Sequence, residues 1–306
     1  MSFSQPLWRG VYPAATTQFT SALAVDLEST QKVQSALVDD GVDGLILLGT
    51  CGENNSLEPE EKRRVLKGAV EAVGGRVPLV AGVSEFTTER AIDYARDAEK
   101  IGVDALMVLP CMVYVPRGEE LVEHFRRVAQ ATSLPVMLYN NPPAYRVDID
   151  FATLEALADL ENVVAVKESA PDPRRFTGII NRFGDRFAVM AGLDDVALEG
   201  LMLGASGWVS GLTSAFPAES VRLVKAAYEG KWEEARAIYR WFMPLLHLDA
   251  EHDLVQSIKL AEAIMGRGTE QVRMPRMPLT GQRRADVIQW VETCKATQPS
   301  KQAIAA

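Results

Sequence analysis

Eight short apolar runs, none alternating with polar residues, constrain this chain more than any other feature. They are GVYPAATT (10–17), DGLILLG (43–49), VPLVAGV (77–83), DALMVLP (104–110), LPVMLYN (134–140), VVAVKES (163–169), FAVMAG (187–192) and GWVSGL (207–212). A strand with one wet face alternates apolar and polar side chains. A run without alternation reads as a strand covered on both faces, as in a parallel sheet wrapped by helices. The stretches between the runs supply those helices. In residues 59–73, Val65, Leu66, Ala69, Val70 and Val73 share one face, with Pro59 suited to the first turn and Gly74 to the end. In 87–102, Thr87 or Thr88 serves as the N-cap and Gly102 as the stop.

The order helix end, Gly-Val-Asp, buried strand occurs in DDGVDGLILLG (39–49) and again in EKIGVDALMVLP (99–110), with a looser copy in LGASGWVSGL (203–212). Stacked βα units produce such an echo. Eight strands suit a closed barrel better than an open sheet, so the expected fold is α/β, a (β/α)8 TIM barrel. A helical pattern at about 217–229 completes the eighth unit, and three more follow at about 231–248, 253–267 and 282–297. The expected organisation is a barrel over 1–230, a C-terminal helical extension of the same domain over 231–298, and a tail without fixed structure over 299–306.

Composition narrows the partners. With 47% hydrophobic and 24% charged residues, the chain has ample material for a core. A net charge of −9 gives no basic footprint for nucleic acid, and no apolar run is long enough to span a membrane. The three cysteines, Cys51, Cys111 and Cys294, are few and scattered, and the N-terminus lacks a signal-peptide layout. A cytoplasmic protein with reduced thiols is expected.

Barrel enzymes work at the C-terminal ends of their strands. Lys167 closes the sixth run, where an ammonium surrounded by core loses hydration and a neutral, nucleophilic amine is favoured. The plainer alternative has it pointing into solvent or pairing with Glu168. Tyr139 ends the fifth run beside it and can shuttle protons. The loop Gly49-Thr50-Cys51-Gly52-Glu53 offers backbone N–H groups to a carboxylate, and Thr50 adds a hydroxyl. It matches neither a dinucleotide fingerprint nor a phosphate loop. His124, His247 and His252 sit at no strand end and at no ligand spacing, so no metal and no cofactor are expected. Ser56, Ser169 and Ser210 have no histidine at an obvious triad position, which disfavours a hydrolase.

GTCGE followed by LEPEEKRRV, AGVS (81–84), GVDALMVLP, LPVMLYNNP, VVAVKES and GASGWVSG, taken in order from about Gly10 to Glu292, resemble the dihydrodipicolinate synthase/N-acetylneuraminate lyase family of class I, Schiff-base-forming aldolases. The resemblance implies a (β/α)8 barrel with a helical extension, assembled as a homotetramer, a dimer of dimers. It implies Lys167 as the Schiff-base lysine and Tyr139 as the proton shuttle. Thr50 and Cys51 match the pair that binds the keto-acid carboxylate beside Gly49. Val209 matches a residue whose carbonyl lies near the site, and Ser169 matches a serine near substrate in hydroxy-keto-acid aldolases.

Three departures bear on the substrate. Cys51 stands where the synthase has a second threonine. Met112 stands where it has a tyrosine lent by a neighbouring subunit, with Tyr114 in a loop about one residue longer. Ala144 stands where it has an arginine for the aldehyde's carboxylate, and Arg146 lies two residues on. The expected activity is therefore cleavage of a hydroxy- or deoxy-2-keto acid to pyruvate plus an aldehyde, or the reverse. The alternatives are a 2-keto-acid dehydratase or deaminase, 4-hydroxy-tetrahydrodipicolinate synthase, and a non-catalytic keto-acid-binding barrel.

Overall fold

A computed structural model describes residues 7–299; apart from Pro299, the tail expected at 299–306 lies outside the described residues. The strands are β1 (Gly10–Pro13), β2 (Leu45–Leu47), β3 (Leu79–Val83), β4 (Ala105–Val108), β5 (Val136–Asn140), β6 (Val163–Glu168), β7 (Ala188–Ala191) and β8 (Gly207–Ser210). They lie in the order β1-β8-β7-β6-β5-β4-β3-β2, all parallel, and a bridge from Ala14 to Ile46 brings β1 back to β2. The fold is a (β/α)8 barrel with a C-terminal helical extension.

Both strand faces are dry. Tyr12, Ile46, Val80, Met107, Met137 and Val209 fill the lumen, while Leu45, Leu47, Leu79, Leu106, Leu138 and Val166 pack outward against the helices. Two-sided burial is the physical reason the eight runs do not alternate. Each fully buried aliphatic side chain stabilises the fold by about 1.5–3 kcal/mol relative to exposure.

The helices begin and end where local chemistry sets them. Pro59–Val73 opens with a proline whose missing N–H costs nothing there, and Glu61 accepts from the Glu58 N–H at 3.0 Å. Thr88–Ile101 is capped by Thr87, which accepts from the Arg90 N–H at 3.3 Å, and stops at Gly102 with φ +99°.

The repeated Gly-Val-Asp also has a cause. Gly41 (φ +92°) and Gly102 turn the chain out of their helices. The aspartates then reach sideways: Asp43 accepts from the Val11 N–H at 2.8 Å and Asp104 from the Leu79 N–H at 2.9 Å. Each ties the start of one strand to the strand beside it. In the third copy Ser206 replaces the aspartate and donates to the carbonyls of Trp8 (2.8 Å) and Val189 (3.2 Å).

The extension consists of Trp232–Leu246, Leu254–Ile264 and Gly281–Ala296, with a 3-10 turn at His247–Ala250. Helix Leu254–Ile264 is fixed to the barrel by charge. Lys259, fully buried, contacts the equally buried Glu53 at 3.0 Å and donates to the Thr17 carbonyl at 2.8 Å. Glu262 accepts from Thr16 Oγ1 at 2.8 and 3.0 Å. Among the described residues, no helix is long and apolar enough to cross a membrane. No three His, Cys, Asp or Glu side chains converge there as a metal site would require.

Removing one partner of a buried pair strands the other. Lys259→Met is expected to lower unfolding free energy by about 3–5 kcal/mol, with Glu53→Gln/Lys259→Met recovering most of it, as read by urea denaturation. Burial pushes the Glu262 carboxyl up to about 7 from an ordinary 4.5, more than Thr16 and Lys259 pull it down. The folded state thus holds this proton more tightly than the unfolded chain does. That contribution to stability is complete below about pH 4.5 and is lost as pH rises through about 7. Glu262→Gln is expected to flatten the fall in stability across this window, measured by denaturation at pH 5 and pH 8.

Candidate active site

The pleat of β6 sends alternate side chains to opposite faces. Ala165 faces the lumen, so Lys167 does too, one layer nearer the C-terminal end. Register pairs it with Tyr139 on β5. Lys167 is 6% exposed, with Nζ 4.0 Å from the centre of the Tyr139 ring. Glu168 faces the other way, toward Arg175 at 3.1 Å and Asn140 at 2.9 Å, and is not the partner of Lys167. Neither plainer alternative for the lysine therefore describes it. Space for its side chain comes from Gly192: a Cβ there would lie 2.6 Å from Lys167 Cγ and 2.2 Å from Ser169 Oγ.

The segment after β2 is held in an unusual shape. Leu48 and Glu53 both adopt φ +55°, a left-handed conformation costly for residues with a Cβ. Gly52 lies so close to Leu48 that a Cβ would come within 2.8 Å of its backbone, and Thr17 Oγ1 donates to the Gly52 carbonyl at 2.7 Å. Within this loop the N–H groups of Thr50 and Cys51 donate no hydrogen bond among the described residues. Glu53, buried against Lys259, closes it.

Tyr145 enters from the turn after β5. Asn141 caps the one-turn helix Pro142–Tyr145, accepting from the Ala144 N–H at 3.1 Å, while its Nδ2 donates to the Tyr139 hydroxyl at 3.0 Å. The helix carries Tyr145 back over the cavity, where its hydroxyl meets Thr50 Oγ1 at 2.5 Å. Its ring meets that of Tyr139 edge-on, centres 5.5 Å apart. Burial holds both phenols, and the Cys51 thiol, well above their usual range, so all three rest protonated.

These groups enclose a cavity lined by Gly49, Thr50, Cys51, Tyr139, Tyr145 and Lys167, with Ala14, Met107, Asn141, Ala144, Gly211, Asp249 and Leu254 completing the wall. Its free space is about 30 Å³, room for a water or two. Two other expected residues lie off this wall. Val209 is buried in the lumen beneath, paired with Tyr12. Ser169 is buried beside Tyr139, and its hydroxyl pulls that phenol down against the effect of burial.

Of the departures, Met112 packs against the lumen cluster and Tyr114 donates to Glu120 on the surface at 2.8 Å. Ala144 lines the cavity, while Arg146 lines a separate groove with Arg117, Asp148 and Asp150. Tyr145, Asn141 and Asp249 were not among the expected site residues. For the first two a signal existed: Asn-Pro-Pro is an N-cap followed by two first-turn prolines, which puts Tyr145 one turn on.

Residues 7–294 match the model of the dihydrodipicolinate synthetase family. The chain belongs to this family. The 4-hydroxy-tetrahydrodipicolinate synthase 1 of Halalkalibacterium halodurans is 33% identical over 272 residues, 89% of this chain and 92% of that protein. The crystal structure of dihydrodipicolinate synthase from Aquifex aeolicus superposes with a TM-score of 0.90 at 29% identity, covering 96% of this chain and all of that one. A prophage protein of the same family from E. coli K12, solved in complex with pyruvate, gives 0.89 at 28% identity, covering 95% and 99%. The protein is therefore an enzyme of the class I, pyruvate-type lyase kind.

Within such an enzyme a hydroxyl that only braces the Thr50 loop and one that moves protons differ in their kinetics. Tyr145→Phe is expected to cost about 1 kcal/mol of stability while slowing turnover about a hundredfold. Small, matching losses in thermal midpoint and kcat would mean that the hydroxyl only holds the loop.

Proposed function

We propose that this enzyme cleaves a hydroxy- or deoxy-2-keto acid to pyruvate plus an aldehyde, or joins them, through a Schiff base on Lys167. The observation that carries this reading is a buried lysine whose amine lies 4.0 Å from a buried tyrosine ring in a cavity with no second cation in its wall among the described residues. The amine attacks the keto carbon while the free N–H groups of Thr50 and Cys51 hold the carboxylate next to Gly49. Tyr139 passes a proton to the carbinolamine hydroxyl, which leaves as water. The resulting iminium draws electrons from the C3–C4 bond. As that bond breaks, the C4 hydroxyl gives up its proton to the Tyr139–Tyr145–Thr50 group, and the aldehyde departs. Protonation of the enamine at C3 and hydrolysis then return pyruvate and the free lysine. Ser169 and Val209 support this chemistry from just outside the cavity wall.

The enamine serves a dehydratase or deaminase equally well, with a group lost from C4 in place of C–C cleavage. A second reading, 4-hydroxy-tetrahydrodipicolinate synthase, is favoured by the names of the relatives. Against it stands Ala144, which leaves the cavity without an arginine for an aldehyde's carboxylate. A homotetrameric assembly is part of the proposal, supported by exposed Val113 and Tyr114 beyond β4. So is a cytoplasmic setting, supported by three free thiols.

Borohydride added with pyruvate is expected to fix a three-carbon adduct on Lys167, read by peptide mass spectrometry. Lys167→Arg should abolish adduct and turnover together. An adduct on another lysine, or none, would sink the proposal.

A further inference from the structure

Among the described residues, Asp249 is the one acidic side chain in the wall of the lysine cavity, and the extension brings it there. It sits on the turn His247–Ala250 between helices Trp232–Leu246 and Leu254–Ile264. Its carboxylate rests on Gly211, the first residue past β8: a Cβ at Gly211 would lie 2.4 Å from Asp249 Oδ1. A side chain at that position would push the carboxylate out of the cavity.

Among the described residues, no side chain donates a hydrogen bond to Asp249 or pairs with it in a salt bridge. The carboxylate below it, Asp194, is by contrast fully occupied, accepting from Trp208 Nε1 (2.9 Å), Ser210 Oγ (3.2 Å) and the Leu212 N–H (2.9 Å). Burial raises the Asp249 carboxyl to about 6, opposed by attraction to Lys167 and a backbone N–H at Asp194. The charged groups facing it are thus Lys167, Asp194 and Asp195. Lys259 is committed to Glu53, and Arg146 lies in another groove.

A carboxylate in a cavity wall that no side chain pairs has acceptor capacity left for a donor. A second carboxylate on the substrate would meet a like charge there and find no cation besides the lysine that reacts. Building on the Lys167 reading, we infer that the substrate beyond C3 carries a hydrogen-bond donor, a hydroxyl or protonated amine, and no second carboxylate, and that Asp249 selects it.

The test is borohydride trapping at pH 7.5 with pyruvate, 5-hydroxy-2-oxopentanoate and 2-oxoglutarate, the last two matched in length. The wild-type enzyme is expected to half-saturate with the hydroxy acid at a concentration at least about tenfold below that for 2-oxoglutarate. In Asp249→Asn that ratio, each value normalised to the variant's own pyruvate value, should shrink below about threefold; in Asp249→Glu it should persist. Equal trapping of the two acids by the wild type, which needs no variant to fold, overturns the inference. An unchanged ratio in Asp249→Asn does the same. Failure to trap pyruvate in the wild type would instead overturn the Lys167 reading and take this inference with it.

Discussion

The buried pair of Glu53 and Lys259 joins the parts that must meet for this cavity to exist. Neither charge reaches solvent, and withdrawing both from water costs several kcal/mol before their attraction returns any of it. The surroundings make up the difference. Lys259 also bonds the Thr17 carbonyl and lies 4.5 Å from the centre of the Phe19 ring, while Glu53 accepts from the Arg273 N–H at 3.0 Å. Four distant segments are bound at one point: the stretch after β1, the loop after β2, the helix of the extension and the turn before the last helix. Glu53 ends the Thr50–Glu53 turn in a left-handed conformation, so the tether that holds its carboxylate also sets where the loop's N–H groups point. Helix Leu254–Ile264, held at the same point, sets how deeply Asp249 and Leu254 enter the barrel mouth.

Around that fixed frame, the cavity is made by what is missing. Gly192 and Gly211, just past β7 and β8, bring no side chain into that space. Lys167 extends across the first gap and Asp249 lies over the second. Below them the lumen is filled by Met107, Met137, Met190 and Val209.

Most of the fold was legible because its causes are local or periodic. Two-sided burial leaves continuous apolar runs, caps mark the helices, and Gly-Val-Asp marks a strand entry pinned to its neighbour. Lys167 and Tyr139 were legible for a related reason: strand-end position and pleat parity together determine what faces the lumen. Other features depend on contacts that no window of sequence contains. The left-handed Leu48 and Glu53 follow from closure against Gly52 and Lys259. Asp249 belongs to the cavity only because the extension folds back on Gly211, 38 residues earlier. Tyr145 lies between these cases. Its helical turn is written in Asn141-Pro142-Pro143, but its contact with Thr50 depends on the distance between the ends of β2 and β5.

The protonation of this cavity suits an iminium better than it suits a permanent anion. Tyr139, Tyr145 and Cys51 are all held protonated by burial, so the carboxylate in the cavity wall is that of Asp249 alone. The iminium that a lysine forms is positively charged for as long as its nitrogen stays protonated. Forming it would favour the ionised carboxylate in the same cavity wall, and in a site with so little room for water such an attraction outweighs its value in bulk water. The next intermediate, the enamine, is neutral, and a carboxylate in direct contact with the nitrogen would oppose reaching it. Seated against Gly211 and with no salt bridge to Lys167 among the described residues, Asp249 suits binding the part of the substrate that leaves better than clamping the nitrogen that stays.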